Sequence, residues 1–247
     1  MIMIKRIRLA MGFLTVLPVN PRKIEPEDLG AAVKYFPIVG LLFAGLVWAV
    51  LRLITPLGGK TLAGWLAAFA GAALNGWIHW DGWADTADGM GSRDPQKSLV
   101  IMKDSRIGAF GTIALSFLIL GKVITLSRLT TVPLGILIGV MTISRWAMVV
   151  LLATQPPVSQ GLASTFRIER GRRDLIFASL WMLAVIVISD WRNIFLLGIS
   201  LVLIPWVIRL SRKRFGGITG DLLGATNEMV ELTCLIVLSL RFPWWNW

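Results

Sequence analysis

Residues 35–55 read YFPIVGLLFAGLVWAVLRLIT, an apolar run interrupted by one charge, Arg52. A helix of about 20 such residues crosses the roughly 30 Å hydrocarbon core of a bilayer. Working outward, runs of similar character recur at 61–80, 107–127, 132–153, 174–189, 193–210 and 221–241. They predict an all-α, polytopic membrane bundle of about seven transmembrane helices, forming a single integral membrane domain over 1–247. The composition agrees: 55% of the chain is hydrophobic and 16% charged, against roughly 25% charged in an ordinary soluble domain. Twelve tryptophans beside one tyrosine suit the bilayer interface, because an indole pairs an apolar body with a polar tip. Residues 3–17 are expected to form an amphipathic helix on the membrane surface, with Lys5, Arg6 and Arg8 at headgroup level.

The net charge is +11, yet nucleic acid is not the implied partner. The basic residues flank apolar runs, as topology and an anionic lipid bilayer require. With seven spans, eighteen Lys and Arg fall on one side and six on the other, Lys122 among the six; Arg145 lies within a span. The positive-inside rule then puts the N-terminus and the long loops 81–106, 154–173 and 211–220 on the cytoplasmic side. The lone Cys234 cannot form an internal disulfide. The sequence leaves a homo-oligomer open.

Against this apolar background, His79–Gly111 reads HWDGWADTADGMGSRDPQKSLVIMKDSRIGAFG and carries five of the fourteen acidic residues. Asp81, Asp85 and Asp88 stand at i, i+4 and i+7, one face of a helix. Three like charges on one face repel, and a hard divalent cation with oxygen ligands is the usual reason to keep them. A second cluster, Lys103 to Arg106, opens the third span; a third, Asp221, Glu228 and Glu231, opens the last. The two glutamates lie inside an apolar helix, where an uncompensated charge costs on the order of 2.5–3.5 kcal/mol. The six carboxylates are therefore candidate ligands of one or two metal ions in a phosphoryl transfer. Lys103, Arg106 and Arg145 are candidate phosphate contacts. No phosphate-binding glycine loop with lysine and no zinc spacing occurs.

Residues 79–89, HWDGWADTADG, resemble the HxDGxADTxDG signature of the cobalamin synthase (adenosylcobinamide-GDP ribazoletransferase) family. MKDSRIGAFG at 102–111 and GGITGDLLGA at 216–225, with Glu228 and Glu231 following, resemble its further signatures. FLTVLPV at 13–19, YFPIVGLL at 35–42 and Ser144-Arg145 also match family segments. Val16 stands where the family often has a basic residue. The resemblance implies an inner-membrane enzyme that uses Mg²⁺ to join adenosylcobinamide-GDP to α-ribazole or α-ribazole 5′-phosphate, releasing GMP. It implies that Asp81, Asp85, Asp88 and Asp221 hold metal and diphosphate, with Glu228 and Glu231 as further ligands. Glu228 is the expected proton acceptor, and His79 and Asp104 are further catalytic candidates. Lys103, Ser105, Arg106, Arg145 and Thr219 are the expected substrate contacts. A CDP-alcohol phosphotransferase also uses an aspartate-rich helix, but its pattern needs arginine after the alanine, where Asp85 follows Ala84 here. A cation-coupled transporter would favour carboxylates at mid-membrane and paired repeats; the acidic motifs here gather at one face.

Overall fold

A computed structural model describes residues 2–19, 21, 24–158 and 171–240. Arg22, Lys23, Arg167, Arg170 and Arg241, which enter the charge count, lie outside the described residues. The elements are α1 (Ile2–Leu14), α2 (Pro26–Ala32), a 3-10 turn (Val33–Tyr35), α3 (Phe36–Leu74), α4 (Ile78–Gly89), α5 (Pro95–Met102) and α6 (Ala109–Arg128). Then follow α7 (Leu134–Thr154), α8 (Gly171–Ser189), α9 (Asn193–Phe215) and α10 (Gly220–Ser239). No strand occurs among the described residues, so the expected all-α membrane bundle is what forms.

Among the described residues, five helical segments are long and apolar enough to cross a membrane: Glu27–Leu74, which includes α3, and then α6, α7, α9 and α10. The expected seven segments exceed these by dividing α3 in two and by counting α8, which is not among the five. α3 is not one rod. Gly59 leaves the helix with φ 79° and ψ 173°, a conformation that suits glycine, and Pro56 just before it removes one backbone donor. The arms fold back on each other: a Cβ on Gly71 would lie 3.7 Å from Val47. α8 spans 19 residues but opens with Arg172, Arg173 and Asp174.

α7 is the central helix, 83% buried over its membrane-length window, whereas α6 and α9 are 28% buried. Phe110, Ile113, Phe117, Leu120 and Ile124 form an exposed stripe along α6 at spacings of three and four, as a lipid-facing side should. The opposite face of α6 buries Leu118, Lys122, Thr125 and Leu126. Small residues let the backbones close. A Cβ on Gly40 would stand 2.6 Å from the Met141 carbonyl oxygen, and one on Gly64 2.6 Å from the Ser127 nitrogen.

One expectation is corrected. The second span was expected to run to residue 80, but its helix stops at Leu74. Gly76 and Trp77 both take left-handed φ, 64° and 67°, and α4 begins afresh at Ile78. Asn75-Gly76 is a helix-stop pair. The apolar character of Trp77, Ile78 and Trp80 masks it. The acidic motif thus has a helix of its own, with a direction independent of the span before it.

Candidate active site

α4 lies across the start of α10 with almost nothing between them. A Cβ on Gly82 would stand 2.7 Å from the carbonyl oxygen of Asp221, and one on Gly224 3.0 Å from Cα of His79. These two glycines therefore set how closely the acidic helix approaches Asp221. The break before α4 is supported from outside. The Val16 amide donates to the Leu74 carbonyl at 2.9 Å, capping the end of α3, and Phe13 stacks on Phe36 with ring centres 5.5 Å apart.

The three aspartates of α4 have three different surroundings. Asp88 is buried. One carboxylate oxygen accepts from the Gly108 amide and the other from the Gly111 amide, both at 2.8 Å. It therefore caps α6, whose first amides have no partner within the helix and whose dipole favours an anion there. The glycines of MKDSRIGAFG follow from this. A Cβ at 108 or at 111 would come within 2.3 Å of an Asp88 carboxylate oxygen. Asp85 is half-buried and Asp81 exposed, and neither carboxylate makes a hydrogen bond or ion pair among the described residues. Burial, and then repulsion from Asp81, Asp221 and Asp88, pushes the Asp85 carboxyl up from 3.8 to about 7. Asp81, Asp85 and Asp221 thus form a negative group at the α4–α10 crossing that makes no ion pair with a cation among the described residues.

That chemistry fits a hard divalent cation. Among the described residues no three His, Cys, Asp or Glu side chains are gathered into a ready-made metal cage. Mg²⁺ characteristically takes one or two carboxylates and completes its shell with water and substrate phosphate. An open, uncompensated set of this kind matches such a partly hydrated ion better than a closed protein cage would.

Glu228 and Glu231 are arranged otherwise. Both are buried, as are Lys122 and Arg145. Lys122 pairs with Glu228 and donates to Glu231 Oε1 at 2.7 Å. Arg145 Nη1 donates to Glu231 Oε2 at 3.1 Å and to Ser144 Oγ at 2.9 Å, and its guanidinium lies 3.9 Å from the Phe43 ring centre. Nδ1 of buried His79 is 3.6 Å from Glu228 Oε1. Two acids and two bases form a neutral cluster inside the bundle.

The loop between α5 and α6 is at the surface. Arg106 pairs with Asp104 at 2.7 Å, its side chain 87% exposed. The Arg106 guanidinium holds the Asp104 carboxyl down at about 2. Lys103 and Ser105 are exposed beside them. Thr219 is the N-cap of α10, its Oγ1 accepting from the Leu222 amide at 3.1 Å. Just before it, Ile218 pairs with the segment after α7, with Ile218 N donating to Pro156 O at 2.9 Å and Val158 N to Ile218 O at 3.1 Å. The acidic helix α4 therefore touches both other motifs, the second through Asp88 and the third through Gly82.

A family profile described as cobalamin-5-phosphate synthase matches residues 6–239. The chain belongs to the cobalamin-5-phosphate synthase family. An adenosylcobinamide-GDP ribazoletransferase of Chlorobaculum parvum is 37% identical over 240 residues, covering 94% of this chain and 93% of that one. The enzyme of the same name from Chlorobaculum tepidum is 36% identical over 239 residues, with the same shares covered. That of Desulforamulus reducens is 33% identical over 243 residues, covering 96% and 97%. No solved structure matches.

Within this cobalamin-5-phosphate synthase fold, the residues read as one site divide into three groups. Asp81, Asp85 and Asp221 come together at the α4–α10 crossing. Glu228, Glu231, Arg145 and His79 do not join them. They sit in the bundle interior, where Lys122 pairs with both glutamates and Arg145 with Glu231. Asp104, paired and acidified by Arg106, is a poor proton acceptor. Lys103, Ser105 and Arg106 remain available at the surface. Lys122 is the residue the sequence reading misassigned, as a charge on the opposite side of the membrane. A lone lysine on the inward face of an apolar span, with two intramembrane glutamates elsewhere, is the signal that finds it.

Proposed function

We propose that this chain transfers the adenosylcobinamide phosphoryl group from adenosylcobinamide-GDP to the 5′-hydroxyl of α-ribazole or α-ribazole 5′-phosphate, releasing GMP. The ribazole oxygen forms a bond to the cobinamide-side phosphorus. The bond from that phosphorus to the guanylate oxygen breaks, and the hydroxyl proton is released. Family membership supports the reaction. The observation that carries a site for it is the uncompensated group Asp81, Asp85 and Asp221.

In this reading those three aspartates would hold Mg²⁺. Bound there, the ion supplies charge neutralisation for the diphosphate. Asp88 keeps α6 seated, so its contribution is to geometry. Lys103 and Arg106, exposed at the same end, draw in an anionic substrate. The charge asymmetry of the loops supports an inner-membrane enzyme with N-terminus and active face cytoplasmic.

The test uses the full chain in nanodiscs with adenosylcobinamide-GDP, α-ribazole and Mg²⁺, following GMP and the corrinoid product by chromatography. GMP release that needs both substrates and Mg²⁺, and that Asp85→Asn abolishes, supports the reading. Release of GMP without α-ribazole, or full turnover in chelator, would sink it.

A further inference from the structure

The buried cluster in the bundle interior takes no direct part in the proposed chemistry, yet it leans against the acidic helix. Lys122 comes from α6. Its ammonium joins Glu228 and Glu231, both on α10, and lies 5.9 Å from the ring centre of Trp80 on α4. Glu228 in turn faces Nδ1 of His79, the residue before Trp80. That nitrogen is buried and has no hydrogen-bond partner, so the carboxylate is the polar group it looks toward. A single ammonium thus sits where three helices meet.

α4 is held at its other end by the same neighbour. Asp88 accepts from the first amides of α6, while Lys122 lies about three turns further along α6, by 3.6 residues per turn. Asp81 and Asp85 lie between these two points. The glycine contacts at Gly82 and Gly224 set the distance between α4 and α10, but backbone touching backbone resists rotation weakly. What opposes rotation of α4 at this end is its two side chains seated on the cluster, Trp80 against the Lys122 ammonium and His79 against Glu228; turning the helix withdraws both from the charges they face. One residue of rotation turns a helix face by about 100°, enough to carry Asp85 away from Asp221.

We infer that Lys122 is a positioning residue for the cation site: by bridging Glu228 and Glu231 beneath Trp80 and His79, it fixes the rotation of α4 on α10 and so the spacing of Asp81 and Asp85 to Asp221. This rests on the reading of those aspartates as a divalent-cation site. Lys122 touches neither cation nor substrate. It acts through the helix that carries the ligands.

The experiment measures Mn²⁺ binding to the full chain in nanodiscs by electron paramagnetic resonance, without substrate, alongside the thermal midpoint. Four variants are compared: Asp85→Asn, Lys122→Met, Lys122→Arg and the double variant Lys122→Met/Glu228→Gln. The double variant restores neutrality to the interior, so it retains the fold where Lys122→Met alone loses it. Expected is wild-type binding that Asp85→Asn removes, and a dissociation constant about tenfold or more higher in the double variant, although its midpoint recovers. Lys122→Arg, which keeps a bridging cation, stays within a few-fold of wild type. Wild-type Mn²⁺ affinity in the double variant overturns the positioning role and leaves the aspartate site standing. Wild-type binding that is absent, or indifferent to Asp85→Asn, overturns the aspartate site and the positioning role with it.

Discussion

α10 carries two kinds of carboxylate two turns apart. Asp221, at its first turn, faces Asp81 and Asp85 and makes no ion pair among the described residues. Glu228 and Glu231, deeper in the same helix, meet Lys122 and Arg145 at ion-pair distance. The difference lies in what the neighbouring helices bring, not in the acids. α6 and α7 each contribute a base to the interior. α4 contributes two more acids to the end. A carboxylate matched by the fold is architecture; one left unmatched at an accessible end is available for a ligand.

The largest effect expected from breaking this contrast is in the interior. Glu231→Leu leaves Arg145 buried without its carboxylate, which should destabilise the protein by about 3–5 kcal/mol. Fluorescence-detected size exclusion after heating would read this as loss of the monodisperse peak. Next is Asp88→Ala, which removes both acceptors at the start of α6. A loss of about 2 kcal/mol is expected, seen as a lower thermal midpoint together with weakened cation dependence.

The open group should respond with the opposite sign. The Asp85 carboxyl sits at about 7 in the fold, against an ordinary 3.8. Between those values the folded chain binds more protons than the unfolded one, so stability falls as pH rises through that window. The midpoint of cation-free protein should therefore climb as pH is lowered from 8 through 7 toward 5. Saturating Mg²⁺ should flatten the slope, and Asp85→Asn should remove it, raise the cation-free midpoint at pH 8 and cut turnover by at least about tenfold. A midpoint that instead falls on acidification through 7 would contradict the picture of unmatched aspartates. The smallest effect is expected at the surface. Arg106→Ala should leave the midpoint unchanged, since its ion pair is fully hydrated, and should raise the KM for adenosylcobinamide-GDP in an ionic-strength-dependent way.

Much of the bundle was legible in the sequence because lipid imposes a simple rule. An apolar run of the right length becomes a helix, and Pro56 with Gly58-Gly59 marks the turn between the first two. The acidic motifs were legible because charge is rare in such a chain. What escaped was the assortment of charges in space. Asp81, Asp85 and Asp88 share a sequence pattern but not an environment: only Asp88 reaches the amides of Gly108 and Gly111. Glu228 follows Asp221 on the same face, yet its partner comes from Lys122, more than a hundred positions earlier. Periodicity reports which residues share a face. It does not report what the next helix brings to that face. The break at Asn75–Trp77 was hidden for a local reason, since Trp77, Ile78 and Trp80 carry the apolar run past it.

The contact between Gly82 and the backbone of Asp221 also bears on how such an enzyme changes over time. With no space for even a methyl group, any other residue at 82 would separate two of the three aspartates at once. Drift is barred there at the first step, whatever the rest of the chain does. Exposed positions such as Lys103 and Ser105 carry no such restriction. Substitutions should therefore accumulate in the rim, while the crossing beneath it stays as an inherited fixed point.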